Sequence, residues 1–244
     1  MTLLDLKSVR KTFLDGASEV VVLDDVSVEF DARELVGIYG ARRSGKSTLL
    51  QIAAGLEMPD RGSRVSFRGQ DMTMLSFGEC AQLRRCHGLV FVGGSWWPNR
   101  ASDPAIEHVA MTLTNEGVTL AEGEVAARAA LNRFDVMRWA HVPTDELSAS
   151  ERIRVELARA VVREPAVLLV DEPAVLSSPS ESRDLYGLLH SLSKEMTVII
   201  ASEDMEAISG VDRFMTLDDG RLRTTDSRKR VYDATERFRQ GQSS

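Results

Sequence analysis

The sequence has little cysteine, no excess of positive charge and no long apolar run. Its 244 residues include two cysteines and carry a formal net charge of −7. Cys80 and Cys86 lie in a polar stretch, so we expect neither a disulfide framework nor a zinc site, and a reducing cytosol is the default compartment. The acidic balance argues against nucleic acid as a partner, because no overall basic field would attract it.

Apolar segments of membrane-spanning length are also missing. A transmembrane helix needs about 20 consecutive apolar residues, whereas the longest apolar run, around residues 166–170, has the length of a buried strand. The N-terminus lacks the basic start and apolar run of a signal peptide. We therefore expect a cytoplasmic protein that is either soluble or held at the inner face of a membrane by a partner.

The most specific motif is Gly-Ala-Arg-Arg-Ser-Gly-Lys-Ser at residues 40–47, which has the spacing G-x-x-x-x-G-K-[ST] of a phosphate-binding loop. An apolar strand at 34–39 precedes it, and a helix is predicted over 46–54. In such a loop backbone amides surround phosphate oxygens, the lysine reaches the outer phosphates and the last hydroxyl ligates Mg²⁺. The predicted nucleotide-binding residues are Gly40, Ala41, Arg42, Arg43, Ser44, Gly45, Lys46, Ser47 and Thr48.

A second candidate element is the apolar strand 166–170, which ends in two carboxylates, Asp171 and Glu172. Beside a phosphate loop, Asp171 is placed to hold Mg²⁺ together with Ser47. Glu172, one residue later, is placed to polarise an attacking water and is the predicted catalytic residue. An ordinary strand capped by acidic residues is the alternative, and the upstream phosphate loop favours the functional interpretation.

The order of predicted elements indicates an α/β fold, with a P-loop NTPase core built on a mostly parallel sheet. Residues 1–35 predict an antiparallel β subdomain with a loop over 13–17, and residues of about 71–150 predict a helical insert. From 146 onward helices and strands alternate, and Asp218-Asp219-Gly220 predicts a hairpin. We expect one domain over 1–228, followed by a polar tail over 229–244.

With these motifs in order, the chain resembles the nucleotide-binding subunit of an ATP-binding-cassette (ABC) transporter over almost its whole length. Phe13 stands where an adenine-stacking aromatic occurs, and Leu147-Ser148-Ala149-Ser150-Glu151 stands at the signature position. The stretches 23–27 and 52–56 resemble one subgroup, which includes macrolide and peptide exporters, lipoprotein-releasing systems and the cell-division ATPase.

The resemblance implies that the chain binds ATP and Mg²⁺, docks on a transmembrane permease subunit and pairs with a second ABC subunit. In that family two cassettes close head to tail over two ATP molecules, and the signature serine of one contacts the γ-phosphate held by the other. Ser148 and Ser150 are the corresponding candidates here. Ser148 with Glu151 also has the spacing of a helix capping box, and the two interpretations are compatible.

Several positions depart from the family pattern. Val92 stands where a glutamine is expected, Glu203 where a histidine is expected, and Ser178 where an aspartate is expected. Ala149 and Ser150 replace two glycines of the signature. The residues that bind ATP are retained while those that position the attacking water are altered, so we predict binding with slow hydrolysis at this chain's own site.

The sequence leaves three alternatives open. The cassette could pair with an intact homologue or with a second copy of itself. A nucleotide-dependent scaffold of the cell-division type, without transport, is the alternative function. Trp96 and Trp97 lie in the segment that faces the membrane subunit in the family, where one of them could anchor that partner or both could belong to the core.

Overall fold

A computed structural model describes residues 1–16, 18–93, 102–172, 179–205, 208 and 210–225. Within them the chain forms two β-sheets and six α-helices. Trp96 and Trp97, the candidates for contact with a membrane subunit, lie outside these residues, as do Ser178 and the predicted polar tail over 229–244.

The first sheet is antiparallel and has the strand order β2-β1-β4-β5. Its strands are β1 (Thr2–Asp15), β2 (Ser18–Asp31), β4 (Arg64–Phe67) and β5 (Gln70–Asp71). The loop predicted over 13–17 is wrong for Phe13–Asp15, because Phe13 pairs with Val20 and Asp15 pairs with Ser18. Cross-strand pairing therefore continues to the tip of the hairpin, where Gly16 adopts a φ of 62°.

The second sheet has the order β10-β9-β3-β8-β7-β6. Its strands are β3 (Leu35–Tyr39), β6 (Leu89–Gly93), β7 (Val167–Asp171), β8 (Thr197–Ser202), β9 (Arg213–Asp218) and β10 (Arg221–Thr225). All neighbours run parallel except β9 and β10, which form the predicted antiparallel hairpin. The continuous apolar runs of β7 and β8 are buried at every residue, as expected for strands covered on both faces.

Six helices flank this sheet: α1 (Lys46–Ala53), α2 (Phe77–His87), α3 (Ala105–Thr114), α4 (Leu120–Arg133), α5 (Ala149–Val161) and α6 (Pro179–Leu192). Three of them begin with a complete capping box, formed by Ser76 and Glu79, by Thr119 and Glu122, and by Ser148 and Glu151. Within the range 71–150, strand β6 follows α2 and pairs with β7, so a strand of the main sheet lies inside the predicted helical region.

Two apolar cores lie on opposite faces of the parallel sheet. Leu168 and Val170 of β7 belong to the core shared with helices α3 to α6, whereas Val167 and Leu169 belong to the core shared with α1, α2 and the antiparallel sheet. This alternation follows the two-residue period of a strand. The predicted α/β fold, with its parallel core and its N-terminal antiparallel sheet, is confirmed. The carboxyl ends of β3, β7 and β8 meet at one edge, where ligands bind in open α/β sheets.

Candidate functional site

The phosphate loop connects the end of β3 to the start of α1. Two of its glycines occupy positions that a side chain would obstruct. A Cβ at Gly40 would lie 2.4 Å from the Ser44 Oγ and 2.6 Å from the Leu217 carbonyl oxygen. Gly45 has a φ of 101°, and a Cβ there would lie 2.8 Å from the Val22 carbonyl oxygen. Neighbouring atoms thus leave no room for a side chain at either position, which explains why the motif has glycine there.

A cavity of about 740 Å³ opens over this loop. It brings together most of the residues predicted from the sequence, namely Phe13, Arg42, Arg43, Gly45, Lys46, Ser47, Thr48 and Glu172. Val22, Ser202, Glu203 and Asp204 complete the lining. Ser202 and Asp204 could have been found by noting that parallel strands β7 and β8 end at the same edge. Val22 carries no motif that would have identified it.

Lys46 is the central cation of this cavity, and its side chain is only 4% exposed. Its Nζ donates to the carbonyl oxygens of Gly40, at 2.8 Å, and Ala41, at 3.0 Å. The same Nζ lies 3.1 Å from the Glu172 Oε1. These contacts hold the ammonium at the loop, where the outer phosphates of a nucleotide would replace one of its oxygen partners.

Glu172 is held on both of its carboxylate oxygens. Besides the contact of Oε1 with Lys46, its Oε2 accepts a hydrogen bond of 3.3 Å from the Glu203 backbone N–H. The residue adopts a φ of 47°, which is uncommon for a side chain other than glycine, asparagine or aspartate. The backbone N–H of Glu172 donates to the Ala201 carbonyl oxygen at 2.9 Å. The carboxylate is therefore fixed at the end of β7, within reach of the loop.

Asp171 lies at the end of β7 and is 5% exposed. Burial raises the pKa of its carboxyl group, and a hydrogen bond with Ser47 acts in the opposite direction. Its Oδ1 is buried and has no hydrogen-bond partner among the described residues. A hard cation with oxygen ligands, such as Mg²⁺, would satisfy that oxygen. Asp171 and Ser47 thus fit the predicted metal-binding role, in which Mg²⁺ would neutralise phosphate charge.

Replacing Asp171 with asparagine is expected to stabilise the ligand-free protein at neutral pH. Because burial raises the folded-state pKa, ionisation of Asp171 opposes folding above that pKa, and the effect disappears below the ordinary carboxyl pKa. The variant should also lose the Mg²⁺-dependent part of the rise in melting temperature caused by nucleotide. Thermal unfolding at neutral and acidic pH, with and without Mg²⁺, measures both effects. An unchanged response to Mg²⁺ would contradict the assignment.

Phe13 and Val22 give the cavity its apolar lining, and both come from the β1–β2 hairpin. Phe13 is 39% exposed, and the Lys11 Nζ lies 4.8 Å from the centroid of its ring. A partly exposed aromatic ring that lines the same cavity as the phosphate loop is suited to stacking on a nucleotide base. The position of Phe13 in the lining is therefore compatible with the role that the resemblance implies.

Ser148 and Ser150 do not line this cavity. Ser148 caps α5: its Oγ accepts from the Glu151 N–H at 3.3 Å, and its own N–H donates to the Glu151 Oε2 at 2.9 Å. The structure thus has the predicted capping box. The structure therefore does not bring these two predicted serines to the cavity.

Of the altered positions, only Ser178 lies outside the described residues; Ala149 and Ser150 form the first turn of α5. Val92 is buried in β6, where it pairs with Val170 and packs in the helical core. Its side chain has no polar atom, and Val92 does not line the cavity. Glu203 follows β8 directly and lines the cavity with an exposed side chain.

None of the helices among the described residues is long and apolar enough to span a membrane.

Comparisons with known proteins agree with this geometry. The family model described as ABC transporter matches residues 23–175. The chain is 32% identical to the macrolide export ATP-binding/permease protein MacB 2 of Aeromonas hydrophila, over 93% of this chain and 35% of that protein. It is also 32% identical to the lipoprotein-releasing system ATP-binding protein LolD of Shewanella denitrificans, over 93% of this chain and 97% of that protein. The chain thus spans about a third of the length of the MacB relative.

Solved structures show the same fold. The ATP-binding cassette MJ0796, in a dimeric post-hydrolysis state bound to ADP and Pi, has a TM-score of 0.85 and 26% identity, covering 92% of this chain and 98% of that one. The protein cbiO1 from Clostridium perfringens, part of the ABC transporter complex cbiONQ, has a TM-score of 0.82 and 26% identity, covering 98% and 94%. The chain therefore belongs to the ABC transporter family, and its fold is that of the family's ATP-binding cassettes.

Proposed function

We propose that the chain is the MgATP-binding subunit of a transporter complex at the cytoplasmic face of a membrane. The observation that carries the proposal is the position of Lys46, buried at the phosphate loop and 3.1 Å from Glu172. The neighbouring Asp171 Oδ1 has no hydrogen-bond partner in the described part of the chain. The loop amides and Lys46 would bind the phosphates, Phe13 would stack on the base, and Ser47 with Asp171 would hold Mg²⁺.

The proposed partners are a transmembrane permease subunit and a second cassette. Support comes from relatives whose names describe an export ATP-binding/permease protein and the ATP-binding protein of a lipoprotein-releasing system. A neighbouring cassette of known structure is dimeric. Closure of two cassettes over nucleotide would then gate the membrane partner, with Ser148 at the N-terminus of α5 facing the nucleotide of the other subunit.

We further propose that hydrolysis at this chain's own site is slow. Glu172 would accept the proton of the attacking water, a step that requires the water to be held in line with the outer phosphate. Val92 is apolar and buried, and Glu203 is anionic, so neither side chain offers a hydrogen-bond donor for that purpose. The chain would still bind nucleotide, but the acceleration of hydrolysis that comes from positioning the attacking water would be lost.

Two measurements on the purified chain test this function. Titration calorimetry should detect MgATP binding. Steady-state phosphate release should be about 100-fold slower than that of the LolD cassette of Shewanella denitrificans measured in parallel, as expected when a water is poorly positioned. Absence of nucleotide binding would refute the assignment. Turnover as fast as that of the relative, and lost in Glu172→Gln, would refute slow hydrolysis alone.

A further inference from the structure

The cavity carries its charges unevenly. Its carboxylates, Glu172, Glu203 and Asp204, all follow the ends of β7 and β8, and Glu172 contacts Lys46. The hairpin residues Phe13 and Val22 contribute apolar surface instead. Because the loop lysine is the group that reaches the outer phosphates, the terminal phosphate of a nucleotide would be the part that enters the acidic region.

The backbone fixes Glu203 beside the phosphate loop. The Gly40 N–H donates to the Ser202 carbonyl oxygen at 3.3 Å, which joins the first glycine of the loop to the residue before Glu203. The Glu203 N–H donates to the Glu172 Oε2 at 3.3 Å. These two hydrogen bonds keep the Glu203 Cα in place without using its carboxylate. Among the described residues, no cation forms a salt bridge with that carboxylate, which lines the cavity.

The remaining charges of the cavity do not distinguish nucleotides in the same way. Arg42 and Arg43 are exposed on the loop, and they attract the phosphates of both nucleotides, the more highly charged triphosphate more strongly, whereas Glu203 repels them. Lys46 is already engaged by Glu172, so a phosphate oxygen must compete with that carboxylate. A triphosphate adds one phosphate and its charge at the acidic end, where a diphosphate adds none. The repulsion from Glu203 therefore falls mainly on the triphosphate.

We infer that Glu203 is a specificity-determining residue that lowers the preference of this site for nucleoside triphosphate over nucleoside diphosphate. The inference rests on the proposed nucleotide-binding function and adds that Glu203 disfavours the triphosphate. It assigns Glu203 a role in binding that is separate from any effect on the rate of hydrolysis.

Titration calorimetry of the purified chain with MgADP and with the non-hydrolysable MgAMP-PNP tests the inference. In Glu203→Gln, affinity for the triphosphate analogue should rise about fivefold relative to affinity for MgADP, a size typical of an exposed charge pair. This gain should shrink as salt is added, because salt screens the repulsion between Glu203 and the terminal phosphate. A purely structural role of Glu203 would make the gain independent of salt.

Glu107→Gln on α3 is the matched control, because Glu107 is an exposed glutamate outside the cavity. It should bind both nucleotides as the unsubstituted protein does. A clear preference of the unsubstituted protein for the triphosphate, unchanged in Glu203→Gln, would overturn the inference while leaving the proposed function intact. Failure of the unsubstituted protein to bind either nucleotide would overturn both.

Discussion

Replacing Lys46 with alanine is expected to weaken the binding of both MgATP and MgADP by about 100-fold or more, which is within the range found when one partner of a buried charge pair is truncated. The Lys46 Nζ is the cation held at the loop by the carbonyl oxygens of Gly40 and Ala41. Its removal also leaves Glu172 without the ammonium that faces Oε1, so an unpaired carboxylate would meet the incoming phosphates. Titration calorimetry with each nucleotide measures the loss.

Lys194→Ala provides the control for this substitution. Lys194 is exposed after the end of α6 and does not line the cavity. The control should change neither nucleotide affinity nor the melting temperature of the ligand-free protein. If Lys46→Ala remained folded and bound nucleotide as tightly as Lys194→Ala does, the assignment of the loop as the phosphate site would be wrong.

Phe134→Ala is expected to lower the free energy of unfolding by about 3–5 kcal/mol, the usual cost of removing a buried aromatic side chain. Phe134 is 0% exposed and belongs to the core formed by helices α3 to α6 and one face of the parallel sheet. Its carbonyl oxygen accepts a hydrogen bond of 3.3 Å from the Arg154 Nη1 on α5. The cavity left by the ring would thus open in the core beneath the helix that presents Ser148. Chemical denaturation monitored by circular dichroism measures the change.

Phe77→Ala tests whether this cost comes from burial. Phe77 is the first residue of α2 and is 57% exposed. Truncation of its ring should change the free energy of unfolding by about 0.5 kcal/mol or less, as is usual for surface positions. Equal destabilisation by the two substitutions would show that the core containing Phe134 is not packed as described.

The parts of the fold that local patterns determine could be predicted from the sequence. The glycine spacing at 40–47, the apolar run before Asp171 and the Asp-Asp-Gly turn at 218–220 each specify a backbone conformation within a few residues. The predicted loop over 13–17 is wrong for Phe13–Asp15, because local sequence does not show that these residues pair across the hairpin. The strand conformation of Phe13 and Leu14 depends on pairing with Val20 and Glu19.

The contacts within the site were less accessible to prediction. Lys46 and Glu172 line one cavity because strands β3, β8 and β7 lie next to one another in the sheet. The spacing of the two residues along the chain does not reveal this strand order. The hydrogen bond from the Glu203 N–H to Glu172 depends on the left-handed φ of Glu172. Val22 lines the cavity, and its backbone lies against Gly45 of the phosphate loop. A valine side chain gives no indication of such a backbone contact, so the sequence did not identify this residue.

The close approach of Val22 to Gly45 also bears on the geometry of any nucleotide bound here. The Val22 carbonyl oxygen would lie 2.8 Å from a Cβ at Gly45, and it would lie equally close to a Cβ at Gly220. Val22 belongs to the same hairpin as Phe13, so the contact at Gly45 limits how closely this hairpin approaches the phosphate loop. A larger residue at position 45 would move the hairpin outward and lengthen that separation. Backbone atoms thus limit the distance between Phe13 and the phosphate loop, and a nucleotide bound here would have to match that distance.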